Sequence, residues 1–150
     1  MNTHIPKIAA TLAMSLLGGL ALAQSSPAGL WRTIDDDGRT EKSLVRISDS
    51  GGTFSGKVEK VADPARQDAR CDACSDARKG QPVLGMTILQ GVKASTSEAG
   101  LWDGGEILDP NNGKTYKVRM KLVNDGKTME LRAYIGLPLI GRTQTWQRVE

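Results

Sequence analysis

From residue 24 onward, apolar and polar positions alternate with a period of two, and Gly, Asn and Asp cut the alternating stretches apart. No stretch sustains 3.6-residue apolar periodicity over three turns, so helices do not organise the chain. The pattern predicts strands near residues 29–34, 42–48, 53–61, 84–91, 102–108, 114–122, 128–135 and 142–149. Eight short antiparallel strands of this kind predict an all-β, eight-stranded up-and-down barrel. One long connection, Ala62 to Pro82, is rich in Asp, Arg and Ala and has room for a short helix. The first and last strands each set tryptophan beside arginine, in Gly29-Leu30-Trp31-Arg32 and in Arg142-Thr-Gln-Thr-Trp146-Gln-Arg148. A closed sheet brings its two ends together, so Trp31, Arg142, Trp146 and Arg148 are the expected closure seam.

The second half is specific enough to predict a register. Asn112-Gly113 and Asp125-Gly126 both favour two-residue type I′ turns, whose central positions need positive φ. The first turn, pairing Asn111 with Lys114, sets Asp109 opposite Tyr116, Ile107 opposite Val118 and Gly105 opposite Met120. The second, pairing Asn124 with Lys127, sets Leu122 opposite Met129, Met120 opposite Leu131, and Val118 opposite Ala133. One face is then apolar across three strands. The other aligns Glu106, Arg119 and Arg132 in one row and Lys121 with Glu130 in the next. A one-residue slip would turn an apolar set outward at ~1.5 to 3 kcal/mol per side chain, more than any surface ion pair returns. The inward set is modest in bulk, so a lumen pocket and a filled core are both open, and methionine suits either.

Charge and address narrow the function. Residues 1–23 carry one cation, Lys7, then an apolar run from Ile8 to Leu22, and end Ala21-Leu22-Ala23, as a cleaved signal peptide does. The mature chain is then expected to be the single domain 24–150, exported to the periplasm with no stable membrane anchor. Removing Lys7 leaves 19 basic and 17 acidic residues, a balance of +2 that gives no reason to expect a nucleic-acid partner. The one histidine, His4, leaves with the leader. A mature chain without imidazole has no Ser-His-Asp or Cys-His chemistry and lacks the commonest transition-metal ligand.

Six segments, Gly29-Leu-Trp-Arg32, Gly80-Gln-Pro-Val-Leu-Gly85, Leu101-Trp-Asp-Gly-Gly105, Asp109-Pro110, Gly113-Lys-Thr-Tyr116 and Gly141-Arg-Thr-Gln-Thr-Trp146-Gln-Arg148, together resemble the secreted bacterial family of unknown function 2147. The resemblance spans Gly29 to Val149. Members of that family resemble calycin and lipocalin barrels, which implies an eight-stranded calyx with a small-molecule site. In lipocalins a Gly-x-Trp on the first strand packs under an arginine of the last strand. Trp31 matches that tryptophan, and Arg148 or Arg142 would supply the arginine.

Each chemical-looking motif has a plainer reading. Cys71-Asp-Ala-Cys74 in an exported chain is expected as a local disulfide that pins the long loop, stabilising by about 2 kcal/mol at most. A thiol oxidoreductase is the less favoured reading, because the strand and helix setting of thioredoxin is absent. Haem attachment would need histidine at position 75, which is serine, and zinc lacks two further S or N ligands. Asp35-Asp36-Asp37-Gly38 reads as a hairpin turn rather than a calcium loop, since no bidentate glutamate follows at the right spacing. Glu106 and Asp109 are expected on opposite faces, and so are Asp103 and Glu106 if the strand is regular, so neither is expected to form an acid and base pair.

The segment between the last two strands, Gly136-Leu137-Pro-Leu139-Ile140-Gly141, is expected either to fold over the barrel end or to form the lip of a ligand portal. Trp102, Trp146 and Tyr134 are expected to serve packing. The favoured function is a periplasmic, non-enzymatic, lipocalin-like carrier of a small, mostly apolar molecule, lipid or fatty-acid-like, needing no cofactor or metal. Its ligand-binding residues would be Tyr116, Val118, Met120, Met129, Leu131 and Ala133, with Asp109 for polar selection. The competing reading is an envelope protein with a filled barrel that binds another protein or itself. As a carrier the protein would be a monomer or homodimer, with binding flat between about pH 5.5 and 7.5, where unperturbed carboxylates and lysines do not titrate.

Overall fold

A computed structural model describes residues 26–150. The expected leader and its cleavage point after Ala23 lie outside those residues. Eight antiparallel strands follow in order: β1 (Gly29–Ile34), β2 (Glu41–Ser50), β3 (Thr53–Val61), β4 (Thr87–Ala94), β5 (Leu101–Asp109), β6 (Lys114–Val123), β7 (Thr128–Tyr134) and β8 (Gly141–Arg148). Each pairs with the next in sequence, and β8 returns to β1, so the sheet closes as an up-and-down barrel. The seam places Trp31 opposite Arg148 and Thr33 opposite Trp146. Closure leaves no strand without a neighbour on both sides, although the seam itself pairs only Trp31 to Thr33 with Trp146 to Arg148.

Alternation decides what goes inside. Val45, Ile47, Val58, Leu89, Val92, Val118, Met120, Met129, Leu131 and Trp146 form one buried cluster with Trp31. Between them stand exposed residues such as Lys57, Glu106, Lys117 and Glu130. The β6–β7 register is the expected one, with Met120 opposite Leu131 and Val118 opposite Ala133. Its turn supplies the required geometry, because Asp125 and Gly126 have φ of 55° and 79°.

Two expectations need correction. The β5–β6 ladder sits two residues from the expected register, pairing Asp109 with Lys114, Ile107 with Tyr116 and Gly105 with Val118. The connection is a four-residue loop, Pro110 to Gly113, in place of a two-residue turn. Local bonds select it: Asp109 Oδ1 accepts from the Asn111 amide at 2.9 Å, and the Asp109 carbonyl accepts from the Gly113 amide at 2.8 Å. Asn112 is absent from the residues with positive φ, so only Gly113 adopts that conformation there. A two-residue shift keeps face parity, so the apolar face survives, but the charge row does not. Glu106 faces Lys117, while Arg119 still faces Arg132 and reaches Glu98 at 3.8 Å.

The fourth strand also starts three residues later than expected, at Thr87, because Val83 to Met86 bond to β3 and to the long loop. The Val58 amide donates to the Met86 carbonyl and the Val83 amide to the Ala69 carbonyl, at 2.9 and 2.8 Å.

The long loop carries one 3-10 turn, Pro64–Arg66, capped by the Asp63 side chain. Beyond it, Arg70 bridges to Pro82, and Cys71 and Cys74 form a disulfide with a Cα separation of 5.4 Å. Both cysteines are buried in the core cluster. Gly113 comes so close to this loop that a Cβ there would overlap the Ala73 carbonyl and the Cys74 amide. The disulfide loop and the β5–β6 turn are therefore packed backbone to backbone.

A candidate ligand cavity at one end of the barrel

The two barrel ends differ. One carries the β2–β3, β4–β5 and β6–β7 turns with the two ends of the described chain, and it is sealed. Trp31 is fully buried there and donates from Nε1 to the Pro27 carbonyl at 2.8 Å. The Arg148 guanidinium lies 4.3 Å from the Trp31 ring centroid. It donates to the carbonyls of Gly126, Ala28 and Ser26 at 2.7, 2.7 and 2.6 Å. Burial pushes this guanidinium down from its ordinary value, though arginine stays charged in proteins. One cation thus satisfies three backbone acceptors and stacks on the floor tryptophan.

The opposite end holds a cavity of about 690 Å³. Ile34, Val58, Val61, Ile88, Ile107, Leu131, Ala133 and Trp146 line its depth. The polar groups that join them there are partnered. Thr33 and Ser43 share a hydroxyl bond of 2.8 Å, and Gln144 Oε1 accepts from Trp146 Nε1 at 3.3 Å. The rim is mixed in charge, with Asp35, Glu41, Lys42, Asp63, Arg66, Asp109 and Arg142. Most of these are engaged: Lys42 with Asp35 at 3.4 Å, Arg142 with Asp36 at 2.9 Å, and Glu41 with Arg32 at 3.0 Å. Tyr116 closes one side, its hydroxyl accepting from Asn112 Nδ2 at 3.0 Å.

The β1–β2 connection at this rim is the turn that the Asp-Asp-Asp-Gly run predicted. Asp37 Oδ1 accepts from the amides of Arg39 and Thr40, both at 2.8 Å. The Thr40 hydroxyl bond, followed by these amides, holds the Asp37 carboxyl below the usual carboxylate range.

The loop between β7 and β8 forms the lip. Ile135 and Ile140 line the cavity yet are 62% and 70% exposed, and Leu137 and Leu139 beside them are 63% and 89% exposed. The loop therefore does not fold down as a lid. Arg132 holds it from outside, donating from Nε to the Pro138 carbonyl and from Nη2 to the Leu139 carbonyl at 3.1 Å. Four apolar side chains are thereby presented on a backbone fixed by one arginine.

The family profile described as an uncharacterized protein conserved in bacteria (DUF2147) matches residues 29–148. The chain belongs to the DUF2147 family. A solved structure described as protein HP1028 from the human pathogen Helicobacter pylori, belonging to the lipocalin family, shares its fold with a TM-score of 0.69. That match covers 82% of each chain at 19% identity, so it establishes a lipocalin-like barrel and nothing about ligand. No curated protein matches the chain.

In this DUF2147 barrel the sequence-predicted residues fall into separate places. Tyr116, Leu131, Ala133 and Asp109 line the cavity. Val118, Met120 and Met129 do not; they are fully buried in the core cluster. Period-two reasoning assigns a face but not a height along the barrel, which is why the two groups looked alike in sequence. Of the seam residues, Arg148 is the arginine on Trp31, and Arg142 stands at the far rim, paired with Asp36. Trp146 is both seam and cavity wall, Tyr134 also lines the cavity, and Trp102 packs against the core. Sequence reasoning missed Ile34, Val61, Ile88 and Arg66. A signal for the open end did exist, because all the connections longer than four residues except 95–100 follow odd-numbered strands.

Proposed function

We propose that this protein is a periplasmic lipocalin-like carrier that holds a small, mostly apolar molecule in the cavity beneath the β7–β8 loop. The observation that carries this reading is the cavity itself. At about 690 Å³ it falls within the range of sites for small ligands, and Ile34, Val58, Val61, Ile88, Ile107, Leu131 and Ala133 give it an apolar wall beneath a polar rim. Burial of the ligand's apolar surface would supply affinity, at roughly 25 cal/mol per Å² before the costs of association. In this reading Leu131, Ala133, Ile107 and Ile88 grip the ligand, and Leu137, Leu139 and Ile140 form the portal. Cys71 and Cys74 are structural, since buried sulfurs give an attacking thiol no access.

Titration with 1-aminoanthracene, which fluoresces on entering an apolar site, tests it. Wild type should bind saturably, and Ala133→Trp, which fills the cavity, should weaken binding at least about tenfold while keeping the fold by circular dichroism. Unchanged binding by that variant would place the probe elsewhere and remove the proposal.

The exposed lip favours a second reading, in which Leu137, Leu139 and Ile140 meet another protein or a second copy. Replacing Leu139 and Ile140 together with serine separates the two. Loss of a complex with probe binding retained supports the interaction surface, and loss of probe binding alone supports the portal.

A further inference from the structure

We infer that Arg66 is an anchor for the anionic end of an amphiphile whose chain lies in the cavity, an assignment of ligand class that rests on the carrier reading. Arg66 ends the 3-10 turn of the long loop and stands, exposed, at the cavity rim. That turn is fastened to the barrel, because Gln67 Nε2 donates to the carbonyls of Val61 and Asp63, both at 2.8 Å. From there Arg66 Nη2 reaches Asn111 Oδ1 at 3.1 Å, joining the long loop to the β5–β6 turn beside the cavity.

This contact sets Arg66 apart from the other rim cations. Lys42 and Arg142 each face a carboxylate, at 3.4 and 2.9 Å. The side-chain partner of Arg66 is a neutral amide oxygen that takes one of the five N–H donors a guanidinium offers. Asp63 Oδ1 accepts from the Ala65 amide and Asp109 Oδ1 from the Asn111 amide, both at 2.9 Å, and among the described residues no carboxylate oxygen pairs with Arg66 within 4.0 Å. A planar cation with donors to spare, held beside an apolar cavity, matches a carboxylate or phosphate ester carried on a hydrocarbon chain.

Binding of laurate, dodecyl phosphate, dodecanol and methyl laurate to the full mature chain at neutral pH tests the assignment by displacement of 1-aminoanthracene. The two anions should bind at least about tenfold more tightly than the two neutral molecules. Arg66→Gln should abolish that preference and leave the neutral affinities unchanged, and Arg66→Lys should keep part of it. Equal affinities for charged and neutral chains, or a loss in Arg66→Gln that is the same for both, would overturn the anchor and leave the carrier reading standing. If the probe and all four chains fail to bind, the carrier reading falls and the anchor with it.

Discussion

Two arginines near the ends of the last strand show how position decides what a side chain is worth. Arg148 satisfies three carbonyls and stacks on a buried indole, whereas Arg142 makes an exposed pair with Asp36. Arg148→Met strands those acceptors, and its predicted cost in urea unfolding is about 2 to 4 kcal/mol, against less than about 1 for Arg142→Met. Equal losses would refute the assignment of Arg148 as the seal. Two glycines give a parallel contrast. Gly126 and Gly113 both have positive φ, but a Cβ meets nothing within 4 Å at Gly126 and collides with the Ala73 backbone at Gly113. Gly126→Ala should cost about 1 to 2 kcal/mol from conformation alone, and Gly113→Ala clearly more, with the disulfide loop displaced. The sequence made both glycines look alike as turn residues. What distinguishes them is a contact 40 residues away along the chain, which no local pattern records.

At the scale of elements, the strands with one wet and one dry face, such as β6 and β7, were legible because a period of two follows from that directly, whereas β1 buries Leu30, Trp31, Thr33 and Ile34 together and was marked by its Trp-Arg pair instead. Registers were legible only where turn chemistry was unambiguous. Asn124-Asp125-Gly126 fixed β6 against β7, but the Asp109 carboxylate and carbonyl closed the preceding β5–β6 connection as a four-residue loop and moved β5 by two residues. Acid should act on the loops before it acts on the barrel. The Asp37 carboxyl is lowered first by the Thr40 hydroxyl, and that of Asp76 first by the Arg78 guanidinium. A carboxyl depressed in the folded state adds stability above its unfolded pKa of about 3.9 and loses it as pH falls through the folded value. Amide exchange at Arg39, Thr40 and Arg78 should therefore stay slow near neutrality, once corrected for intrinsic rates, and accelerate below about pH 4. Protection unchanged down to about pH 2 would contradict this role. Asp37→Asn should weaken protection at Arg39 and Thr40 across the whole range.

For the molecule as a whole, closure and asymmetry are the two facts that matter. Matched tryptophan and arginine on the first and last strands announced the closure, and the ladder between β1 and β8 bears it out. The connections 35–40, 62–86 and 135–140 follow odd strands, but 95–100, equal in length to the first and last of these, follows β4, so which end is open was only partly written in the chain. The height of each residue along the barrel was not, because alternation repeats identically from floor to rim, and so Met120 and Met129 looked like lining when they are foundation. The remaining claim is that the space above them is kept for a guest. Native mass spectrometry of gently purified protein addresses it most directly. The account predicts a reproducible added mass that is lost in Ala133→Trp. A bare spectrum from wild type, together with no uptake from a panel of lipids, would contradict it.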